Sequence, residues 1–254
     1  MTRFSICMAT YNGEAHLRPQ IDSILCELGP DDEVVVVDDC SRDGTVAMLE
    51  ARGDPRIRLV RNNRNLGAVK SFERAILLAR GDVLFLADQD DVWEPGRMTV
   101  MVDALTQAGG MLVVSNYSEI DRQGRPVTRP DAIPPLRATH LTGPLRKRLD
   151  LLRGKANYYG CAMAFTRDFA AVAAPFPDGI ECHDLWLAAL AIRHDGIVHL
   201  EQSTLRRRLH GSNLSLRKRP LWQKLRSRIG FARMFVAAAG RSAPAAQAKR
   251  VAHH

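Results

Sequence analysis

Four consecutive valines, Val34 to Val37, stand between Glu33 and Asp38-Asp39. A run that is apolar at every position, without alternation, must be buried on both faces. Short and β-branched, it reads as a central strand of a parallel sheet with helices on either side. Neighbouring segments extend the pattern. Phe4 to Ala9 is a first strand that ends at the turn cluster Thr10-Tyr11-Asn12-Gly13, and Leu17, Ile21, Ile24, Leu25 and Leu28 then recur at helical spacing. Ser41-Arg42-Asp43-Gly44-Thr45 turns into a second helix, Ile57 to Val60 is a third strand, and Leu66, Val69, Phe72, Ala75, Ile76 and Ala79 mark a third helix. Strands alternating with helices predict an α/β fold with right-handed crossovers. Further on, the pattern predicts a helix over 97–108, a strand at 111–115, an irregular Pro-, Gly- and Arg-rich loop over 121–144, a short apolar run at 161–165 and a helix over 185–192.

A fourth apolar run, Val83 to Ala87, feeds directly into Asp88-Gln89-Asp90-Asp91-Val92-Trp93. Its acids fall at the carboxyl end of a strand, the edge where open α/β sheets bind ligands. Clustered carboxylates repel one another, and a hard divalent cation relieves that repulsion while leaving positions open for phosphate oxygens. An acidic solvated turn is the plainer alternative, and the Asp-x-Asp spacing alone does not choose between them.

With 254 residues and 46% of them hydrophobic, the chain can build a substantial core and is not a disordered segment. Cys7, Cys26, Cys40, Cys161 and Cys182 form no CxxC pair, which predicts reduced thiols. With no signal peptide and no membrane-length apolar run, a cytoplasmic location is expected. The net charge of +8 hides an asymmetry. Residues 1–201 carry 23 Lys/Arg against 28 Asp/Glu, whereas residues 202–254 carry 13 Lys/Arg and no acid. In the tail, Leu221, Trp222, Leu225, Ile229, Ala232 and Val236 recur every three or four residues with Lys224, Arg226, Arg228 and Arg233 between them. This is the pattern of a basic amphipathic helix. Over 217–236 it either lies on the anionic inner face of a membrane or packs on the body with its basic side in water. The tail lacks a nucleic-acid recognition motif and the body is acidic, so no nucleic-acid partner is expected.

Several motifs occur together and in order: Met8-Ala9-Thr10-Tyr11-Asn12-Gly13, Val35 to Thr45, Asn65-Leu66-Gly67, Asp88 to Trp93, Gly160-Cys161, His183-Asp184-x-Trp186 and Arg208-Leu209-His210-Gly211-Ser212-Asn213. In this set the chain resembles the family 2 glycosyltransferases of the GT-A fold, and among them the rhamnosyltransferase-like group. The resemblance spans residues 4–215 and implies a Rossmann-like, mixed but mostly parallel sheet flanked by helices. It divides residues 1–216 into a nucleotide-binding half (1–95) and an acceptor-side half (96–216), followed by the basic tail at 217–254. It implies that Thr10, Tyr11 and Asp39 surround the nucleotide base and that Asp88 contacts the ribose or sugar. Asp90 would bind Mg2+ or Mn2+ over the diphosphate, Asp184 would be the catalytic base, and His210 with Arg208 would face the diphosphate or metal. Two positions depart from the group's pattern. Leu185 stands where a tryptophan is usual, and Arg207 stands where a tyrosine is usual.

The resemblance implies inverting transfer from a nucleoside-diphosphate sugar, dTDP-L-rhamnose first among them, to a saccharide or lipid-linked acceptor of the cell surface. That reaction needs charge against the leaving diphosphate and a base for the acceptor hydroxyl, but no covalent nucleophile. Asp184 also suits a helix N-cap, with Glu181 and His183 as rival bases, and Asp38 competes with Asp39. Gly67 at a helix start admits a phosphate or base, and Lys70 can offset donor charge, although both also suit a plain helical turn. Trp93 and Trp186 can stack on acceptor sugars or fill the core. Cys161 is expected to line the acceptor side. The competing functions are the same reaction with UDP-glucose, UDP-galactose or UDP-N-acetylglucosamine, and a non-catalytic sugar-nucleotide or nucleic-acid binding protein.

Overall fold

A computed structural model describes residues 2–129, 135–136, 151, 158–210, 230 and 233–242. The valine run is the core of β2 (Glu33–Asp38), and Val34 to Val37 are fully buried. It lies between β1 (Phe4–Thr10) and β3 (Ile57–Arg61), parallel to both, and β1 is parallel to β4 (Val83–Asp88) on its other side. The crossovers are α1 (Glu14–Leu25), α2 (Thr45–Arg52) and α3 (Ala68–Leu78). Their buried residues include Leu17, Ile21, Ile24, Leu25, Leu49, Phe72, Ala75 and Ile76, largely those of the sequence periodicity. Leu66 breaks it: the residue precedes the helix and is 42% exposed.

Beyond β4 come β5 (Val92–Trp93), α4 (Arg97–Ala108), β6 (Leu112–Ile120), β7 (Met163–Thr166), α5 (Arg167–Ala173), α6 (His183–Arg193) and β8 (Ile197–Arg208). All eight strands join one sheet in the order β3-β2-β1-β4-β7-β6-β8-β5. The pairs β4–β7, β7–β6 and β8–β5 are antiparallel, while β6–β8 is parallel, so the sheet is mixed. One hydrophobic cluster runs from β1 through α6 and β8, across the 95/96 division expected from sequence.

The register matters for function. Thr10 pairs with Asp38, and Ala9 pairs with Asp88. The ends of β1, β2 and β4 therefore form one edge lined with Thr10, Asp38 and Asp88, with Asp39 one residue beyond. β8 was the least visible element in sequence, because Arg206-Arg207-Arg208 resembles a solvated basic loop. In the strand, Arg207 and Arg208 are each only 5% exposed.

No described helix is long and apolar enough to cross a membrane. The tail is described only in part: Leu221, Trp222, Leu225, Ile229 and Ala232 lie outside the described residues, as do Gly211, Ser212 and Asn213. Residues 233–239 are helical and attached to the body through buried Met234 and Ala238. Arg241 fastens this end by donating to the carbonyls of Val172 (3.1 Å) and Pro175 (2.7 Å). Val236, on the apolar stripe read from sequence, is 75% exposed, so the stripe does not mark the face that packs here.

Candidate active site

The loops after β1 and β2 are joined by side-chain-to-backbone hydrogen bonds. Asp38 is fully buried and accepts from the Thr10 hydroxyl (3.1 Å) and from the Ser41 amide (3.0 Å) and hydroxyl (2.5 Å). The Asn12 amide donates to Ser41 Oγ, and Asn12 Oδ1 accepts from the Arg42 amide. Asp43 and Thr45 complete the turn, with Thr45 Oγ1 accepting from the Gly13 amide. Gln89 bridges to the β1 loop, since its Oε1 accepts from the Tyr11 amide and its Nε2 donates to the Tyr11 carbonyl. A Cβ at Gly13 would lie 2.3 Å from Gln89 Oε1, so any larger residue there would push the Gln89 side chain off the Tyr11 backbone. Tyr11 stays 45% exposed at the mouth of this edge, whereas Thr10 is buried.

Asp39 is the organiser of the loop that leads to α3. Its Oδ1 accepts from Asn62 Nδ2 (2.7 Å) and the Leu66 amide (2.8 Å), and its Oδ2 accepts from the Gly67 amide (2.8 Å). Gly67 has φ +84°, a backbone conformation that strains any L side chain. Thus the structure uses Asp39 first to shape the 62–67 loop, and among the described residues Oδ2 accepts from the Gly67 amide. Lys70 sits differently from the expectation of a donor contact: its Nζ is paired with Glu73 Oε2 at 2.8 Å.

Asp91, buried, and Asp88, partly buried at the strand end, form the inner part of the acidic cluster. One oxygen of each lies within 4.8 Å of the other and of the Cys161 sulfur. Burial, and then the neighbouring Asp90, raise the Asp88 carboxyl to about 7, and Asp184 adds to the shift while Arg207 opposes it. Asp184 follows His183, whose ring meets Gly160, and the adjacent Cys161 sulfur lies within 4.8 Å of an Asp88 oxygen, so the start of α6 borders the acidic cluster. Burial also drives Asp91 well above the usual carboxylate range, with Asp90 and Asp88 adding to it. Asp91 Oδ1 accepts from the Arg208 amide at 3.0 Å, and Oδ2 has no hydrogen-bond partner among the described residues. Cys161 is 1% exposed and held as a thiol by its burial and by these acids, so it lies in the wall behind them and not on the acceptor surface.

Asp90 faces outward from this pair. Its Oδ2 is 2.6 Å from His210 Nε2, with the two side chains 15% and 11% exposed. His210 stacks on His16 of α1 with centroids 5.2 Å apart. The Asp90–His210 contact is a direct hydrogen bond; Mg2+ or Mn2+ would replace its shared proton, taking the carboxylate oxygen and the imidazole nitrogen as two ligands and completing its shell with phosphate oxygens and water. The buried protonated thiol of Cys161 makes the inner cluster a poorer match for a hard cation. Arg208 does not face a diphosphate. Its Nε donates to the Asp90 carbonyl (2.9 Å) and its Nη1 to the carbonyls of Asp121 and Arg122 (both 3.2 Å), so it fixes the backbone that carries Asp90.

Both tryptophans read as acceptor contacts are core residues. Trp93 is 2% exposed, packed on Phe85 (5.8 Å) and covered by Arg97 (4.8 Å). Trp186 has no exposure, and its Nε1 donates to the Ala173 carbonyl at 3.1 Å. The Trp186→Ala variant is expected to lose about 3–5 kcal/mol of stability, as for a large buried aromatic. A urea-unfolding midpoint would show it; a small stability loss with a selective effect on acceptor use would instead restore the acceptor assignment.

Four residues near the acids carried no assigned role in the sequence. His16 borders Asp90 through His210, and Asp91 forms the inner cluster. Arg97 lies buried behind the site, donating to the Cys161 carbonyl at 2.7 Å and to the Thr204 hydroxyl. Arg207 lies over Tyr159 (4.3 Å) and Tyr117 (5.7 Å), with Nη1 3.9 Å from Glu119 Oε1. A signal for Arg207 existed, since it departs from the tyrosine usual there.

The family model described as glycosyl transferase family 2 matches residues 5–172, from β1 through most of α5. The chain belongs to glycosyl transferase family 2. Asp184, β8 and His210 lie beyond that match, so the fold and not the family match brings them to the acidic edge. Among curated relatives, this family 2 chain is 37% identical over 118 residues to the succinoglycan biosynthesis protein ExoO of Rhizobium meliloti, covering 46% of the chain and 34% of ExoO. It is 27% identical over 127 residues to the putative teichuronic acid biosynthesis glycosyltransferase TuaG of Bacillus subtilis, covering 49% of the chain and 50% of TuaG. A third relative, the Escherichia coli UDP-Glc:alpha-D-GlcNAc-diphosphoundecaprenol beta-1,3-glucosyltransferase WfgD, is 28% identical over 117 residues, 46% of each protein. The chain thus spans about a third to a half of the length of these relatives. Residues 1–349 of S. aureus TarS in complex with UDP-GlcNAc superpose with TM-score 0.66 at 18% identity, over 91% of this chain and 66% of that one. This likeness places the sheet and its helices in the GT-A, Rossmann-like fold.

Proposed function

We propose that this chain transfers a sugar from a nucleoside-diphosphate sugar to an acceptor hydroxyl, with inversion, in the synthesis of a cell-surface polysaccharide. One observation carries the reading: Asp88 and the Asp90–His210 pair stand at the carboxyl edge of the sheet, and the helix start that bears Asp184 borders them through Gly160 and Cys161. Each supplies one requirement of the reaction. The edge formed by Thr10, Tyr11 and Asp39 takes the nucleoside, with the free side of Asp39 Oδ2 and the Gly67 backbone toward the base. Asp88 orients the ribose or the sugar. Asp90 and His210 hold Mg2+ or Mn2+, which when bound neutralises charge gathering on the leaving diphosphate. Asp184 takes the proton from the acceptor hydroxyl as it attacks the anomeric carbon opposite the diphosphate. That single displacement forms one glycosidic bond as the sugar–phosphate bond breaks, and no enzyme nucleophile takes part.

The donor class is narrowed by two considerations. The names of WfgD and of the TarS complex refer to UDP-glucose and UDP-GlcNAc. Arg207, where the rhamnosyl group has tyrosine, is stacked on Tyr159 near Asp88. Both support a UDP-hexose donor ahead of dTDP-L-rhamnose. The acceptor is a saccharide, free or carried on lipid. Thermal melting with UDP, dTDP, their sugars and GDP-mannose, each with and without Mn2+, tests the reading. Stabilisation by UDP or dTDP species that grows with Mn2+ is expected. No response to any nucleotide would refute it.

A further inference from the structure

We infer that His183 is a positioning residue for Asp184, gripped between Phe72 of α3 and the backbone of Gly160; the inference rests on Asp184 acting as the base. His183 opens α6, directly before Asp184. Its ring stacks on Phe72 with centroids 4.2 Å apart and planes 25° from parallel, and Phe72 is itself only 2% exposed. On its Gly160 side there is no space: a Cβ at Gly160 would lie 2.7 Å from His183 Nε2. That nitrogen is buried and has no hydrogen-bond partner among the described residues. Desolvation also lowers the pKa of the ring, so it sits there as a neutral, flat aromatic group and not as a proton carrier.

The reason a helix start needs such a grip is visible in its cap. Cys182, at the N-cap, makes no side-chain cap hydrogen bond, although a side chain accepting from the first-turn amides is the usual device for fixing a helix start. From Trp186 to Ile192 the helix is sealed in the core, so its body cannot turn. The first turn, which carries Asp184 toward Asp88, is held by the Trp186 amide donating to the Cys182 carbonyl (3.3 Å) and the Leu185 amide donating to Asp184 Oδ1 (2.8 Å). The Phe72–His183–Gly160 sandwich fixes where that turn lies against the rest of the fold. The same contact explains why a glycine precedes Cys161: with any side chain at 160 the imidazole would be displaced, and the first turn of α6 with it.

Four variants test the inference: His183→Ala, Gly160→Ala, the double variant, and Phe72→Leu, which keeps apolar volume but removes the ring stack. Turnover is read as nucleoside diphosphate released from the nucleotide sugar that best stabilises the chain, with water as acceptor. Donor binding is measured separately by calorimetry, and folding by thermal melting. A misplaced catalytic group costs up to about a hundredfold. His183→Ala and Gly160→Ala are therefore expected to lower kcat by about ten- to a hundredfold with donor affinity unchanged, and Phe72→Leu by less. Because both single variants break one contact, Gly160→Ala should add nothing in the His183→Ala background. Wild-type kcat in His183→Ala, with Asp184→Asn inactive, would overturn the positioning role and leave the base assignment standing. Full turnover in Asp184→Asn would remove the base and this inference together. Additive losses accompanied by weaker donor binding would show general structural damage, which also overturns it.

Discussion

Replacing Asp184 by asparagine should reduce turnover about a thousandfold while nucleotide-sugar binding persists. General-base catalysis contributes roughly 10²–10⁴-fold, and the amide cannot accept the acceptor's proton. The local structure should survive the change. Asp184 Oδ1 accepts from the Leu185 amide at 2.8 Å, and an asparagine oxygen can do the same. One side effect is favourable to donor binding: Asp184 is among the charges that raise Asp88, so removing it eases ionisation of Asp88. Calorimetry on the variant should then show undiminished affinity beside the lost turnover. Near wild-type release of nucleoside diphosphate would exclude Asp184 as the base.

The second large effect concerns the cation. In the wild-type chain, a metal–nucleotide complex at a hundred times its Kd adds about 2.7 kcal/mol of stability. For a domain of this size that corresponds to roughly 5–10 °C in Tm. Asp90→Ala should abolish the part of the shift that depends on Mn2+, because it removes the carboxylate that faces His210. The Asp90 carbonyl, which holds Arg208, is retained in this variant, so the backbone around it should keep its course. His210→Ala should weaken the metal response less, since one carboxylate remains. An undiminished Mn2+ response in Asp90→Ala would move the cation inward, to Asp88 and Asp91.

Legibility in the sequence followed the physical range of each signal. β2 was plain because four valines can be satisfied only by burial on both faces, and α1 and α3 because their apolar spacing is local. The acids at 88–91 were legible for the same reason: a strand end can be read without knowing its neighbours. The tryptophans were not. Whether an aromatic ring lies at a rim or in the core depends on which strand covers it, and β8, which pairs with Trp93, was concealed by its arginines. Arg207 and Arg208 are buried because each finds long-range partners: Arg207 the Tyr117 and Tyr159 rings, Arg208 three carbonyls and, through its amide, Asp91. Lys70 was equally undecidable, since Glu73 three residues on could have faced either way; the Phe176 amide, 103 residues distant, holds it inward. The Asp90–His210 contact joins residues 120 apart and came from motif order alone.

The strand order bears on the acidic segment in one more way. β4 and β5 are separated in the sheet by β7, β6 and β8, yet only Gln89, Asp90 and Asp91 connect them. In a flat sheet, four inter-strand spacings of ~4.8 Å would set the two strands ~19 Å apart. The four residue steps from Asp88 to Val92 reach at most ~14 Å when fully extended. The sheet must therefore bend until its β5 margin comes back toward β4, and the acids form a short tether across that bend. Such a tether has little slack to drift with the solvent as surface loops do, so Asp90 is stationed by the curvature of the whole sheet as much as by its own neighbours.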